Sequence, residues 1–144
     1  MPAAPPGDLL AALGLARASW VGKNRLDWLV VLGSDTEVRE LVPDMAMLRK
    51  IPTRGVIVSA PARAGLDHDF VSRYFAPAFG IDEDPVTGSA HSCLAPYWGE
   101  RWGKDTLIGR QVSARGGTVR VRVRGPRIAL GGKAVTVLHG QLVR

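Results

Sequence analysis

The stretch 88–102 constrains the fold of this chain more than any other feature. Its apolar side chains occur at Ala90, Cys93, Leu94, Ala95, Tyr97, Trp98 and Trp102. At 3.6 residues per turn, these positions cover most of the circumference of a helix rather than one stripe. A helix that is apolar all round is expected to be buried all round. The sequence therefore predicts one central helix with sheet wrapped about it.

Runs with strand character lie on both sides of this helix. DWLVVL and GVIVSA are continuous apolar runs, which is typical of strands buried on both faces. Strands are predicted at 27–32, 55–60, 69–75, 111–114, 118–124, 127–130 and 134–139. Three short helices are predicted. The first covers 9–13, the second begins with a capping box formed by Ser34 and Glu37, and the third covers 45–50 after Asp44. Strands, one central helix and then more strands indicate the α+β class rather than alternating βαβ units.

Composition limits the class of protein. A chain of 144 residues, 46% of them hydrophobic, suits one domain over 1–144, in which 1–7 form a loose lead-in. No apolar run is long enough for a transmembrane helix, and the N-terminus does not have the pattern of a secretory signal. Cys93 is the single cysteine, which excludes an internal disulfide and an all-cysteine metal site. We expect no bound metal, no membrane partner and a cytoplasmic setting.

The net charge of +6 raises the question of nucleic-acid binding. The densest basic cluster contains Arg120, Arg122, Arg124 and Arg127, and its first three members alternate with valines at strand spacing. This spacing predicts a half-buried strand with a solvated arginine face, and the alternative is a stripe that contacts phosphate groups. Because the cluster has no interleaved aromatic residues and no nucleic-acid motif, nucleic acid is not the favoured partner.

The segment from 80 to 91, which reads GIDEDPVTGSAH, carries the candidate site. Its three carboxylates are Asp82, Glu83 and Asp84. The first N–H groups of a helix lack intrahelical acceptors and lie at the positive end of the helix dipole. Gly88 allows a ligand to approach the backbone closely, and Ser89 adds a hydroxyl donor. The pattern predicts that a small carboxylate binds here without any arginine, beside acids that could bond an amine or hydroxyl of the same substrate.

An ordinary helix cap is the alternative interpretation of the same residues. Thr87 or Ser89 would cap the helix through its side chain, Asp84 would interact favourably with the dipole, and nothing would bind. Local chemistry alone leaves both interpretations open.

Three stretches resemble one known family. RYFAPAFGIDEDPVTGSAHSCLAPYW, at 73–98, resembles the ligand loop in the second half of PhzF-like (phenazine biosynthesis-type) isomerases. QVSARGG, at 111–117, resembles the strand and turn that follow it, and GKNRLDWLVVL with VRELVPDM resembles the upstream pattern. The resemblance runs from about residue 10 to residue 143, and the chain is identified as the C-terminal half of a PhzF-like protein.

The resemblance implies a fold and a chemistry. PhzF-like proteins are similar to diaminopimelate epimerase and proline racemase, in which each of two pseudo-symmetric halves is a curled, mostly antiparallel sheet around one helix. The substrate lies between the halves, and the reaction is proton transfer without a cofactor. At the matching positions, Asp84 would contact substrate or handle the proton. Gly88 and Ser89, with Thr87 beside them, would bind the substrate.

The chain departs from the family pattern in what it lacks. The main acid/base of the family, a glutamate, and a glycine–histidine pair lie in the first half and have no matching position here. Glu83 and His91 are the outside candidates for a catalytic role, whereas a solvated loop carboxylate and a structural histidine are the simpler interpretations. Cys93 falls one turn inside the helix and is expected to be a core residue rather than a nucleophile.

A half of this kind is expected to pair with something. The options are a symmetric homodimer, a separate first-half chain, or a degenerate fragment. The sequence thus predicts an isomerase or epimerase half that binds a small carboxylate and needs a second half, with a non-catalytic anion-binding or interaction module as the alternative.

Overall fold

The computed structural model describes residues 1–142, and seven strands form one mixed sheet in chain order. The strands are β1 (Trp20–Lys23), β2 (Asp27–Val31), β3 (Gly55–Pro61), β4 (Phe70–Phe75), β5 (Thr106–Gln111), β6 (Gly117–Arg124) and β7 (Arg127–Gly131). The pairs β2–β3 and β4–β5 are parallel, and the other neighbouring pairs are antiparallel. The predicted α+β class with a mostly antiparallel sheet is confirmed.

Four α-helices accompany the sheet: α1 (Leu9–Ala12), α2 (Asp35–Glu40), α3 (Met45–Leu48) and α4 (Gly88–Trp102); a 3₁₀ turn spans Pro77–Phe79. The capping box is confirmed, since the Glu37 amide donates to Ser34 Oγ at 3.3 Å and the Ser34 amide donates to Glu37 Oε2 at 2.9 Å. Asp44 caps α3 by accepting from the Met47 amide at 2.9 Å. These short helices begin where their capping residues predict.

The sheet is buried on both faces at its centre, as the apolar runs predict. In β2, Trp28 and Val30 pack into a core with α1, α2 and α3, whereas Leu29 and Val31 pack into a second core with α4. The same alternation continues in β3. The three short helices therefore cover one face of the sheet and α4 covers the other.

Helix α4 contacts both ends of the sheet. The ring of Trp20 in β1 lies 4.8 Å from the ring of Tyr97, and β7 packs against the same helix. The sheet thus curls about α4 but does not close, because β1 and β7 remain its two end strands. Residues 1–3 of the predicted lead-in bond to the outer edge of β1: the Ala3 amide donates to the Val21 carbonyl at 3.3 Å and the Lys23 amide donates to the Met1 carbonyl at 3.0 Å. The prediction that α4 is buried all round is wrong: Ser89, Glu100 and Arg101 are exposed because the open sheet leaves one side of the helix uncovered.

Two predicted strands differ from the structure, and one strand of the structure has no prediction. The strand expected at 111–114 is β5, which ends where the prediction began, and residues 113–116 form a turn closed by a 3.0 Å bond from the Gly116 amide to Ser113 Oγ. Strand β1 was not predicted, and residues 134–139 form no strand. The arginine face of β6 is confirmed, since Arg120, Arg122 and Arg124 are exposed while Val119 and Val121 are buried.

Candidate active site at the start of helix α4

The acidic loop before α4 is anchored by side chains from the sheet and α3. Glu83 makes a two-pronged ion pair with Arg73, at 2.7 Å to Nε and 2.9 Å to Nη2. Asp82 makes an exposed ion pair with Arg49 at 3.3 Å. Because both oxygens of Glu83 are engaged by Arg73, the structure places this outside candidate in the scaffold of the loop rather than at the end of α4.

Asp84 and Thr87 are joined to each other and to Gln111. The Thr87 hydroxyl donates to Asp84 Oδ2 and accepts from Gln111 Nε2 at 3.1 Å. Gln111 also donates to the Asp84 carbonyl at 2.6 Å and accepts from the Thr87 amide at 2.8 Å. Gln111 is completely buried. One glutamine from β5 therefore fixes the loop, while Asp84 Oδ1 has no partner within residues 1–142.

The start of α4 carries no side-chain cap. The side chain of Thr87, the N-cap residue, accepts no bond from the helix amides, because its hydroxyl is committed to Asp84. Gly88 and Ser89 are exposed. Within the described residues, the amides of Gly88, Ser89 and Ala90 have no acceptor. Neither Thr87 nor Ser89 therefore caps the helix through its side chain. The free amide donors lie at the positive end of the helix dipole.

An arginine that the sequence did not indicate lies beside Ser89. Arg54 Nη2 donates to Ser89 Oγ at 3.1 Å, and the same guanidinium makes a two-pronged ion pair with Asp27. Asp27 is buried, and it also accepts from the Tyr74 hydroxyl at 3.0 Å. An arginine therefore lies beside the site, but its contacts are to Ser89 and Asp27, and the prediction that a carboxylate is held without an arginine stays a prediction. The signal that could have indicated Arg54 is Asp27 itself, because a carboxylate that begins an otherwise apolar strand needs a cation.

This network depends on a close approach of Tyr74 to the backbone of β3. A Cβ atom at Gly55 would lie 2.3 Å from the Tyr74 hydroxyl oxygen, so the position has no room for a side chain. Burial, and then the charge of Asp27, raise the pKa of Tyr74 to about 12. The hydrogen bond to Asp27 raises the pKa of Arg54 further above its ordinary value. Tyr74 and Arg54 thus act only as donors toward Asp27 near neutral pH.

His91 is buried against the sheet, whereas Cys93 is partly buried on the same side of α4 as Ser89. His91 is completely buried, its Nδ1 lies 2.8 Å from the Thr87 carbonyl, and its ring packs on Phe70 at 5.8 Å. It therefore faces the sheet and does not face the open side of α4. Burial lowers the pKa of His91 and raises that of the half-buried Cys93 thiol. Each favours the neutral form, and for Cys93 this agrees with a core role rather than a nucleophilic one.

A groove leads from the start of α4 along its uncovered side. Its volume is about 670 Å³, and Ser89 lies on its wall together with Cys93 and Tyr97 of α4 and Trp20 and Leu29 of the sheet. Charged side chains, among them Lys23 and Glu100, line the groove as well, so a ligand held at the amides of α4 would have both apolar and charged groups beside it. Across residues 1–142, no three His, Cys, Asp or Glu side chains are grouped so as to hold a metal ion. No helix in that range is both long and apolar enough to cross a membrane.

Comparison with known proteins identifies relatives over nearly the whole chain. Residues 15–140 match the family model described as phenazine biosynthesis-like protein (PhzC–PhzF). An uncharacterized isomerase of Halalkalibacterium halodurans is 43% identical over 138 residues, which are 96% of this chain and 51% of that protein. An uncharacterized isomerase of Pseudomonas aeruginosa is 49% identical over 135 residues, which are 94% of this chain and 50% of that protein.

Solved structures of the same description have the same fold. A PhzF-family phenazine biosynthesis protein of Enterococcus faecalis matches with a TM-score of 0.83 and 39% identity, covering 91% of this chain and 49% of that one. A phenazine biosynthesis PhzC/PhzF protein of Clostridium difficile matches with a TM-score of 0.84 and 35% identity, covering 99% and 53%. This chain spans about half the length of the curated relatives it matches.

Proposed function

The chain belongs to the phenazine biosynthesis-like (PhzC–PhzF) isomerase family, and on that premise we propose that it binds a small carboxylate substrate at the start of α4 for cofactor-independent proton transfer. One observation carries the proposal. Thr87 donates its hydroxyl to Asp84 instead of capping the helix, so the residue that begins α4 leaves the amides of 88–90 without an acceptor and holds Asp84 by one oxygen only. Backbone amides suit a carboxylate, and a nearby carboxylate can exchange a proton with a carbon acid.

Each site residue has a role in this proposal. Gly88 and Ser89 hold the substrate carboxylate through their amides, and the Ser89 hydroxyl adds a further donor. Asp84 contacts the substrate or transfers the proton through Oδ1. Thr87 holds Asp84 in place, since its own amide and hydroxyl are already bonded to Gln111 and Asp84. Glu83 and His91 support the loop and the helix rather than the reaction.

An epimerisation needs a second acid/base on the opposite side of the substrate, because the carbon loses its proton on one face and regains it on the other. This chain offers Asp84 on one side of the substrate and spans about half the length of the relatives it matches. We therefore propose that it functions when paired with a second unit, either another copy or a separate first-half chain. A pair would enclose the groove and exclude water from the reacting atoms.

Deuterium exchange tests the proposal directly. The purified chain, alone and mixed with a candidate first-half chain, is incubated in D₂O with a panel of amino acids and unsaturated carboxylic acids, and ¹H NMR follows loss of the C–H signal. We expect exchange into at least one acid, and a loss of at least about 100-fold in Asp84→Asn, as for removal of a general acid or base. Ser89→Ala is expected to abolish measurable exchange as well.

Asp82→Asn is the matched control, because it removes a carboxylate from the same loop that contacts only the exposed Arg49. It should leave the exchange rate within about twofold, as expected for a surface pair. If neither the chain nor any pair exchanges a proton, the catalytic proposal fails.

A non-catalytic binding module is the second candidate, and the state of Glu83 favours it. This glutamate of the acidic loop is fully engaged by Arg73 and Asp82 pairs with Arg49, so Asp84 is the one loop acid that is bonded to the first turn of α4 rather than to an arginine. Such a module would bind carboxylates and be stabilised by them without exchanging their protons. The mixtures of chain and acid used for the exchange assay separate the two functions. An acid that stabilises the chain but does not exchange its proton would identify a binding module.

A further inference from the structure

Resting on the proposed carboxylate site, we propose that Arg54 is a positioning residue that holds the Ser89 hydroxyl as a hydrogen-bond donor toward the ligand. Arg54 precedes β3 and contacts Ser89 across 35 positions of the chain, with 3.1 Å between Nη2 and Oγ. This contact orients the one side-chain hydroxyl at the open start of α4. The site would thereby favour ligands whose oxygens only accept hydrogen bonds.

The guanidinium of Arg54 is held rigidly enough to orient a hydroxyl. Its Nε donates to Asp27 Oδ1 at 2.9 Å, and its Nη2 donates to Asp27 Oδ2. Asp27 is only 1% exposed and accepts a further bond from Tyr74. A planar guanidinium fixed by a two-pronged bond to a buried carboxylate keeps its remaining N–H directions fixed as well.

The direction of every bond in this network is determined by chemistry. An arginine can only donate, and a hydroxyl has one hydrogen and two acceptor lone pairs. Because Arg54 occupies a lone pair of Ser89 Oγ, the Ser89 hydrogen must point to a different acceptor. A carboxylate bound at the amides of 88–90 is an acceptor of the required kind.

The Ser89 hydroxyl donates no hydrogen bond within residues 1–142. A helical serine commonly donates to the carbonyl four residues earlier, as Ser92 does to Gly88 at 3.2 Å. For Ser89 that carbonyl is Pro85, and it already accepts from Ser113 Oγ at 2.8 Å. Ser89 makes no such bond, so its hydrogen is available to a ligand.

A double-mutant cycle with propionate tests this role. Amide shifts of Gly88, Ser89 and Ala90 are followed by ¹H–¹⁵N NMR in the 144-residue chain, and the dissociation constant is fitted. The Asp27→Asn/Arg54→Met variant removes both charges together, so no buried carboxylate is left unpaired. We expect it to bind propionate roughly tenfold more weakly, as for loss of a charge-assisted bond. In a Ser89→Ala background, the same change should have no further effect.

Arg49→Gln is the control, because Arg49 contacts the same loop at Asp82 but does not contact Ser89. It should leave propionate binding unchanged within about twofold. If the tenfold loss persists in the Ser89→Ala background, Arg54 acts only as a nearby charge, and the positioning role is overturned while the proposed site stands. If propionate causes no saturable shift in the unmodified chain, both proposals fail.

A ligand-free measurement keeps the role testable even where the Arg54 variant does not fold. In the unmodified chain, the guanidinium signals of Arg54 are assigned by side-chain ¹⁵N NMR and compared with those of Ser89→Ala. We expect the Nη2 signal to move and the Nε signal, which reports the bond to Asp27, to stay. An unchanged Nη2 signal would contradict the contact on which the role depends.

Discussion

A threonine that precedes a helix usually turns its hydroxyl toward the helix amides. In this chain Thr87 donates to Asp84 and accepts from Gln111 instead, so one side chain leaves the start of α4 uncapped and orients a carboxylate beside it. The cost of an uncapped helix start is about 1 kcal/mol. Polar residues that forgo a stabilising cap are expected where a ligand replaces it, since functional sites tolerate local instability.

A second prediction at the scale of single residues concerns His91 and the direction in which stability changes with pH. Its ring is completely buried, Nε2 has no partner within residues 1–142, and burial lowers its pKa in the folded state. Well above pH 6.5 the ring is neutral in both states and contributes nothing to the pH dependence. As the pH falls below about 6.5, the unfolded chain takes up the proton first, so stability is lost down to the folded-state pKa.

The change that tests this is His91→Asn, which keeps a donor near the Thr87 carbonyl but cannot titrate. Between about pH 6.5 and 5, the free energy of unfolding of the unmodified chain should fall more steeply than that of the variant, by up to about 1.4 kcal/mol per pH unit. Urea denaturation at several pH values measures both slopes. His139→Asn, at an exposed position, should follow the unmodified chain, and equal slopes for all three proteins would contradict a buried neutral His91.

At the scale of elements, β5 holds the loop and α4 in register through a single residue. Gln111 is the last residue of β5, and its side chain makes hydrogen bonds with both the carbonyl of Asp84 and the amide of Thr87. Gln111→Met keeps the volume but leaves these buried backbone groups without partners. Each unpaired buried group costs about 1–3 kcal/mol. Because the Asp84 carbonyl is only partly buried, we expect a loss of roughly 2–4 kcal/mol in unfolding free energy, below the full cost of two buried groups.

Hydrogen exchange gives the same prediction a local readout. The Thr87 amide should be protected in the unmodified chain and should exchange faster in Gln111→Met, while the Gly88 and Ser89 amides exchange readily in both. Thr106→Val, at an exposed position in the same strand, is the control and should change stability by less than about 0.5 kcal/mol. A stable Gln111→Met chain with an unchanged Thr87 amide would show that the loop is held in another way.

Elements formed by local pattern could be predicted, and contacts between distant elements could not. The bounds of α4 and the buried strands β2 and β3 follow from apolar runs that are visible in the sequence. Strand β5 was misplaced because Gly109 interrupts its pattern, although a Cβ there would lie 2.5 Å from Phe70, which makes it a close-packing glycine rather than a turn. Arg54 and Gln111 reach the site from 35 and 24 positions away, and no local spacing encodes that.

At the scale of the whole molecule, apolar surface remains uncovered. The segment after β7 exposes Val135 at 84%, Val137 at 92% and Leu138 at 82%. The groove beside α4 and the open edge of β7 add to this surface. Exposed apolar groups and open strand edges are features of proteins that associate. They support the proposal that the chain works in a pair.

We expect a homodimer when the chain is alone in solution, since the same surface is then available on every copy. Light scattering after gel filtration at several concentrations should give twice the 15.4 kDa of the chain at the higher ones. Val137→Asp should shift the mass to that of one chain, because a charge is costly to bury without a partner. Thr36→Asp, which adds the same charge to the exposed side of α2, should leave the dimer intact. A single-chain mass at every concentration would rule out the homodimer and leave a separate first-half chain as the partner to be sought, with the exchange assay repeated on that mixture.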